Sequence, residues 1–221
     1  VCSAKYYKIA IMNQPSQHLE DIKVIKRIME ESSRFLSLSG LSGVFAGVFA
    51  IVGAVIAKLI MPASFLAGEI SYESMLADTE VRRVIILLIA DAGLVLLLAL
   101  AAAVILSYRK AKKGGHAIWT TVTRRLLMNL FIPLATGGLF IIFTFGKISV
   151  SVTVAATLIF YGLALINTAK FTLGEIYWLG VLEVATGLVC LLLPGYTLIL
   201  WTMGFGLLHI IYGLFMHIRY R

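Results

Sequence analysis

Six long apolar runs, at about 36–60, 83–107, 123–145, 148–169, 174–193 and 197–218, constrain this 221-residue chain more than any motif in it. Each offers close to the roughly 20 residues with which an α-helix crosses a hydrocarbon core. In that medium backbone N–H and C=O groups must be paired within the structure, and a helix does so within one segment. The chain therefore reads as all-α: a six-helix polytopic membrane domain over residues 36–221, preceded by an arm over 1–35. Composition agrees, with 60% apolar residues and only 14% charged. Gly146-Lys147 and Pro194-Gly195 are short connections, so runs three and four, and runs five and six, read as hairpins.

The net charge of +8 is gathered beside these runs. That position points to membrane topology and anionic lipid headgroups, and away from nucleic acid. With the N-terminal arm inside, the inner side holds 15 of the 19 Lys and Arg residues. Only Lys58, Arg82, Arg83 and Lys147 fall outside, which orients both termini toward the cytoplasm, across an inner membrane. The densest basic cluster, Arg109, Lys110, Lys112, Lys113, Arg124 and Arg125, flanks the second inner loop and suits lipid headgroups. Tyr108 and Trp119 beside it suit interfacial anchoring. The first outer loop, 61–80, carries Glu69, Glu73, Asp78 and Glu80 and reads as a solvated acidic loop that can pair with Arg82 and Arg83.

Residues 16–34 read as a helix, with Ser16 able to cap it and Leu19, Ile22, Ile25 and Met29 on one stripe. It suits a place on the membrane surface or the inner loops; alternatively it docks a partner or a second protomer. The first apolar run starts only near Leu36 and is too long for a signal-peptide core, so no cleavable signal is expected. Met12 is a candidate start, which would put residues 1–11 outside the natural protein. Cys2 lies in the arm and Cys190 within an apolar run, so no disulfide framework is expected. No CxxC or HExxH spacing occurs, and no metal or cofactor is expected.

Three ionisable residues lie inside the runs: Asp91, Glu183 and His209. Such groups are costly at membrane depth and are functional candidates by default. Gly180 and Gly187 flank Glu183 at minus three and plus four, and Gly206 and Gly213 flank His209 at the same offsets. Faces of this kind let helices approach closely, so they should meet each other or a neighbour. Counted from the Pro194-Gly195 turn, Glu183 and His209 differ in depth by only about 4–5 Å at the helical rise. Helical side chains lean toward their own N-terminus, which tilts these two toward each other. The sequence thus predicts a buried Glu183–His209 pair, serving either helix register or as a protonation switch or relay, since histidine changes charge near neutral pH. Asp91 could extend it into a proton or ion relay. Asn129 and Asn167 are expected to bond neighbouring carbonyls.

Ser39, Gly43 and Gly47 make a small-residue face on the first run, suited to another helix, a second protomer or a membrane protein partner. Gly40-Leu41-Ser42-Gly43 also spells GxSG, which with His209 is similar to the serine–histidine dyad of rhomboid proteases. An activating base and an oxyanion site are both needed for such chemistry, and the oxyanion-stabilising residues are missing. A non-enzymatic protein is expected.

The chain also repeats itself. LATGGLFIIF at 134–143 matches VATGLVCLLL at 184–193, and FYGLALI at 160–166 matches FGLLHII at 205–211, with Gly162 against Gly206. The first hairpin is a looser third copy. The copies run in the same sense, unlike the inverted repeats common in transporters. The stretch LGVLEVATGLVCLLLPGYTLILWTMGFGLLHIIYGLF resembles the HdeD-type acid-resistance membrane proteins, the resemblance lying mainly in residues 130–218. It implies six helices built as two-helix repeats, an inner-membrane location and a link to acid stress, with no established chemistry. Competing readings are a small proton or ion channel or transporter, and a scaffold or regulatory subunit docking a partner through residues 16–34.

Overall fold

Turns and caps divide the chain into helices where the apolar runs end. The computed structural model describes residues 39–62, 79–115 and 119–219. The expected helix at 16–34, and Glu69, Glu73 and Asp78 of the acidic loop, lie outside the described residues. Six helices follow: α1 Gly40–Ile60, α2 Thr79–Lys113, α3 Thr121–Thr144, α4 Val150–Thr168, α5 Glu175–Leu192 and α6 Pro194–Arg219. All six are long and apolar enough to cross a membrane, and no strand occurs among the described residues. The protein is an all-α, multi-pass membrane protein. The helix α2 runs well past the expected 83–107 at both ends.

Local chemistry explains the boundaries. Thr120 and Ser149 cap α3 and α4, their hydroxyls accepting from the backbone N–H groups of Thr123 and Val152. Each satisfies an orphan first-turn donor. Between α3 and α4 the chain reverses through Gly146, whose φ of 77° is a conformation that a side chain disfavours.

Within α3, Pro133 has no N–H to give the carbonyl of Asn129 four residues earlier. That carbonyl is taken instead by Asn167 of α4, whose Nδ2 donates to it at 3.0 Å. Asn129 in turn donates from Nδ2 to the Arg125 carbonyl at 2.8 Å. Both asparagines thus bond backbone carbonyls, as expected.

The sixth helix is composite. A 3₁₀ turn at Pro194–Tyr196 leads into an α-turn at Thr197–Trp201, a π-helical stretch at Thr202–Leu208 and a final α-helix at His209–Arg219. Wide π turns are rare and frequent at functional sites. Here Gly204 and Gly206 sit inside the π stretch.

The packing departs from three equivalent hairpins. The most extensive contacts are between α4 and α5 and between α1 and α6, followed by α1 with α2 and α3 with α4. By contrast α5 and α6, although joined by a tight turn, share a smaller contact than any of these. The bundle is better described as two groups, α1-α2-α6 and α3-α4-α5, which meet where the first half of α6 rests on α4 and α5. The reason lies in the glycines. A Cβ on Gly180 would lie 2.7 Å from the Gly162 carbonyl oxygen, and one on Gly187 would lie 2.7 Å from Ile159, both on α4. A Cβ on Gly47 would lie 2.5 Å from the Gly206 carbonyl, and one on Gly213 at 2.5 Å from the Val44 nitrogen. The glycine faces of α5 and α6 therefore meet α4 and α1 respectively, not each other. Gly43 also lies on the α1–α6 crossing.

Apolar side chains such as Leu97 and Val104 of α2, and Phe131 and Phe143 of α3, stand largely exposed on the outer faces. On a soluble protein so much exposed apolar surface would mark an aggregation or binding site; on a membrane protein these faces meet lipid tails.

Candidate functional site

The two groups of helices meet over a polar cluster. Glu183 on α5 is fully buried, and His209, the first residue after the π stretch, is 6% exposed. The distance from His209 Nδ1 to Glu183 Oε1 is 3.2 Å, so the expected pair forms. The same nitrogen lies 3.1 Å from the Gly204 carbonyl oxygen. A carbonyl only accepts, so Nδ1 carries a proton in this arrangement. That N–H is directed at Gly204, and Glu183 Oε1 lies within ion-pair distance but off the hydrogen-bond direction; neither carboxyl oxygen has a hydrogen bond among the described residues.

The other ring nitrogen meets α4. Tyr161 Oη is 2.8 Å from His209 Nε2. With Nδ1 protonated, a neutral ring leaves Nε2 as an acceptor for the tyrosine hydroxyl. A charged ring donates from Nε2 to the tyrosine oxygen instead. Tyr161 thus serves both protonation states without moving. Around it the rings of Tyr161, Phe205 and His209 lie against one another at centroid distances of 5.0–6.0 Å, and Trp201 lies tilted against Phe205 at 5.0 Å.

Space for the carboxyl group is provided by a missing side chain. A Cβ on Gly204 would stand 2.6 Å from Glu183 Oε2 and 2.6 Å from Leu158 Cδ2. The π stretch therefore supplies both the carbonyl that orients the imidazole and the gap that admits the carboxyl.

Chemically, the cluster has two arrangements of equal net charge: carboxylate with imidazolium, or carboxylic acid with neutral imidazole. A buried carboxylate without hydrogen bonds is strongly disfavoured unless a cation stands beside it. One more proton leaves an imidazolium without a counter-ion; one fewer leaves a carboxylate without one. Either change puts an uncompensated charge on the seam between the helix groups.

Asp91 lies apart. Its carboxyl faces Gly53 of α1, where a Cβ would be 3.5 Å from Oδ2. Since α2 joins the bundle through α1, that helix stands between Asp91 and the Glu183–His209 pair. Asp91, Glu183 and His209 are therefore not brought into one cluster. Ser42 is also apart from His209 chemically: its hydroxyl donates to the Ser39 carbonyl, while both nitrogens of His209 are engaged elsewhere. Arg109, Lys110, Lys112 and Lys113 occupy the last turns of α2, and Arg124 and Arg125 the first turns of α3, beside the same connection. Among the described residues no group of three or more His, Cys, Asp or Glu is placed to hold a metal.

Sequence reasoning found the pair and missed Tyr161, Gly204 and the π stretch. The repeat held a signal for one of them, since aligning Gly162 with Gly206 sets Tyr161 level with Phe205, and these two rings are in contact. Comparison with protein-family models, with curated proteins and with solved structures finds no match.

Proposed function

We propose that this is a non-enzymatic inner-membrane protein in which Tyr161, His209 and Glu183 form a protonation-sensitive latch between the two helix groups. The observation that carries the reading is the carboxyl of Glu183: fully buried, without hydrogen bonds among the described residues, and 3.2 Å from His209 Nδ1. The titratable groups around His209 are Tyr161 from α4 and Glu183 from α5; the face of α1 that crosses α6 brings glycines. A proton added to the pair in acid leaves an uncompensated positive charge on the seam, the attraction across it is lost, and the groups separate. The sign is thus a seam that is closed near neutral pH and loosened by acid. This agrees with the acid-stress role implied by the resemblance to HdeD-type proteins. Both termini would face the cytoplasm, and the basic cluster from Arg109 to Arg125 would meet anionic headgroups there.

Histidine NMR of the protein in lipid nanodiscs tests the latch. The His209 ring should change its protonation or hydrogen-bonding signature between about pH 4 and 8, the range around the ordinary histidine titration. A ring that keeps one signature throughout rules the latch out.

A second reading, a small proton or ion channel or transporter, is favoured by one observation. Asp91 is a carboxyl inside an apolar span, set against Gly53, and ionisable groups in such segments commonly mark ion and proton pathways. Proton and ion flux in proteoliposomes, compared between wild type and Asp91→Asn, separates this reading from the latch.

A further inference from the structure

A groove runs between the second half of α1 and the first half of α6, with a volume of about 340 Å³. Its walls include Ile51 and Val55 from α1 and Ile199, Met203 and Leu207 from α6, and Lys58 stands at one end. From Ile51 to Lys58 the groove extends about 10 Å along the helix axis at the helical rise. Lys58 lies in the last turn of α1, just before the helix ends at Ile60. A lysine in that place can keep its ammonium at the headgroup level while its stem follows the apolar wall.

Three features narrow the occupant. The walls are apolar and open sideways at membrane depth, where lipid tails are the surrounding medium. The volume is at the lower end of the roughly 300–1,000 Å³ typical of ligand pockets. The one charge on the rim is positive, and Lys58 forms no ion pair among the described residues. An acyl chain satisfies the walls, and a phosphate satisfies the lysine.

We infer that this groove binds one anionic phospholipid, with an acyl chain between α1 and α6 and the headgroup phosphate on Lys58. The site is distinct from the basic cluster of Arg109 to Arg125, which lies at the connection between α2 and α3. It also touches the latch from behind. Thr202, Met203 and Leu207 belong to the π stretch that carries Gly204, and Gly204 lies against Glu183. The inference stands whether or not the latch reading does, since it rests on the groove and Lys58 alone.

Native mass spectrometry of the detergent-purified protein, with phosphatidylglycerol or phosphatidylcholine added, tests it. Wild type should retain one phosphatidylglycerol several-fold more strongly than phosphatidylcholine. Lys58→Gln should remove the preference between headgroups, and Ile199→Trp, which fills the groove from a lipid-exposed position, should lower retention of both. A variant neutral at Arg109, Lys110, Lys112 and Lys113 should keep this one lipid. Equal retention by wild type and both groove variants overturns the assignment, as does loss of the lipid only in the Arg109–Lys113 variant. Circular dichroism and elution profiles matching wild type establish that each variant is folded, and a variant that fails this is replaced by Lys58→Ala or Met203→Trp.

Discussion

Glu175 and Glu183 lie on the same helix, each with an oxygen 3.2 Å from a basic side chain, and removing those partners should cost very different amounts. Arg219, the partner of Glu175, is 58% exposed, so that bridge is screened by solvent and worth about 0–1 kcal/mol. Arg219→Ala should barely move the thermal unfolding midpoint in detergent. Breaking a buried pair leaves a charge uncompensated and typically costs about 3–5 kcal/mol. His209→Ala should therefore lower the midpoint strongly in the same assay, and equal effects of the two substitutions would contradict the burial of Glu183. Gly204→Ala is the finer probe: its methyl would meet Glu183 Oε2 and Leu158, and overpacking of this kind costs about 1–3 kcal/mol. The pair itself was legible in the sequence because depth can be counted from a turn and two ionisable residues stood out against apolar neighbours. Tyr161 was not, because an aromatic at a helix interface looks the same whether its hydroxyl is used or idle. Gly204 was hidden for a related reason, since the π stretch shifts which residues face inward.

Among the elements, α3 and α4 offer the clearest test of how a helix tolerates proline in a membrane. The proline leaves the Asn129 carbonyl without its helical partner, and Asn167 replaces it across the interface. Asn167→Leu should destabilise by about 1–3 kcal/mol, the usual cost of an orphaned buried polar group. Pro133→Ala restores the N–H within α3, so the double variant should lose less than Asn167→Leu alone. Additive losses in that cycle would show that the two residues do not share the carbonyl. Glycines give a parallel contrast. Gly138 has open space where a Cβ would go, whereas Gly213 would press one onto the backbone of α1. Replacement by alanine should be neutral or stabilising at Gly138, by up to about 1 kcal/mol, and clearly destabilising at Gly213. Helix ends were readable from composition only to within a turn or so, because α2 carries its helical pattern beyond the apolar core into charged residues.

For the molecule as a whole, the number of spans could be read directly, since a hydrocarbon core demands long apolar segments and the chain has six. Which helices pack together could not. In lipid every outer face is apolar, and the choice of neighbour rests on small residues and shape. The sequence showed glycine stripes on α5 and α6 and a short turn between them, which left open whether the stripes met each other or a neighbour. The turn brings the helix ends together, but the stripes commit each helix to a different neighbour, α4 and α1. The proposed orientation across the membrane rests on the lysine and arginine bias and has a direct check. Single cysteines at Lys113 and Lys147, on a background without Cys2 and Cys190, should label with an impermeant thiol reagent from opposite sides in sealed vesicles. Labelling from one side would break the six-span topology.

The contact of α1 with α6 also bears on how the protein is made. Gly43 and Gly213 meet across about 170 residues of chain. At the usual elongation rate of about 5–20 residues per second, α1 would wait on the order of ten seconds for its partner to leave the ribosome. During that interval its groove of small residues faces lipid, the translocon or an insertion factor. Chains stalled after Pro194 should consequently leave α1 open to crosslinking by such factors, and chains released past Arg219 should not. Assembly is gated by the sixth span, the same helix that carries His209.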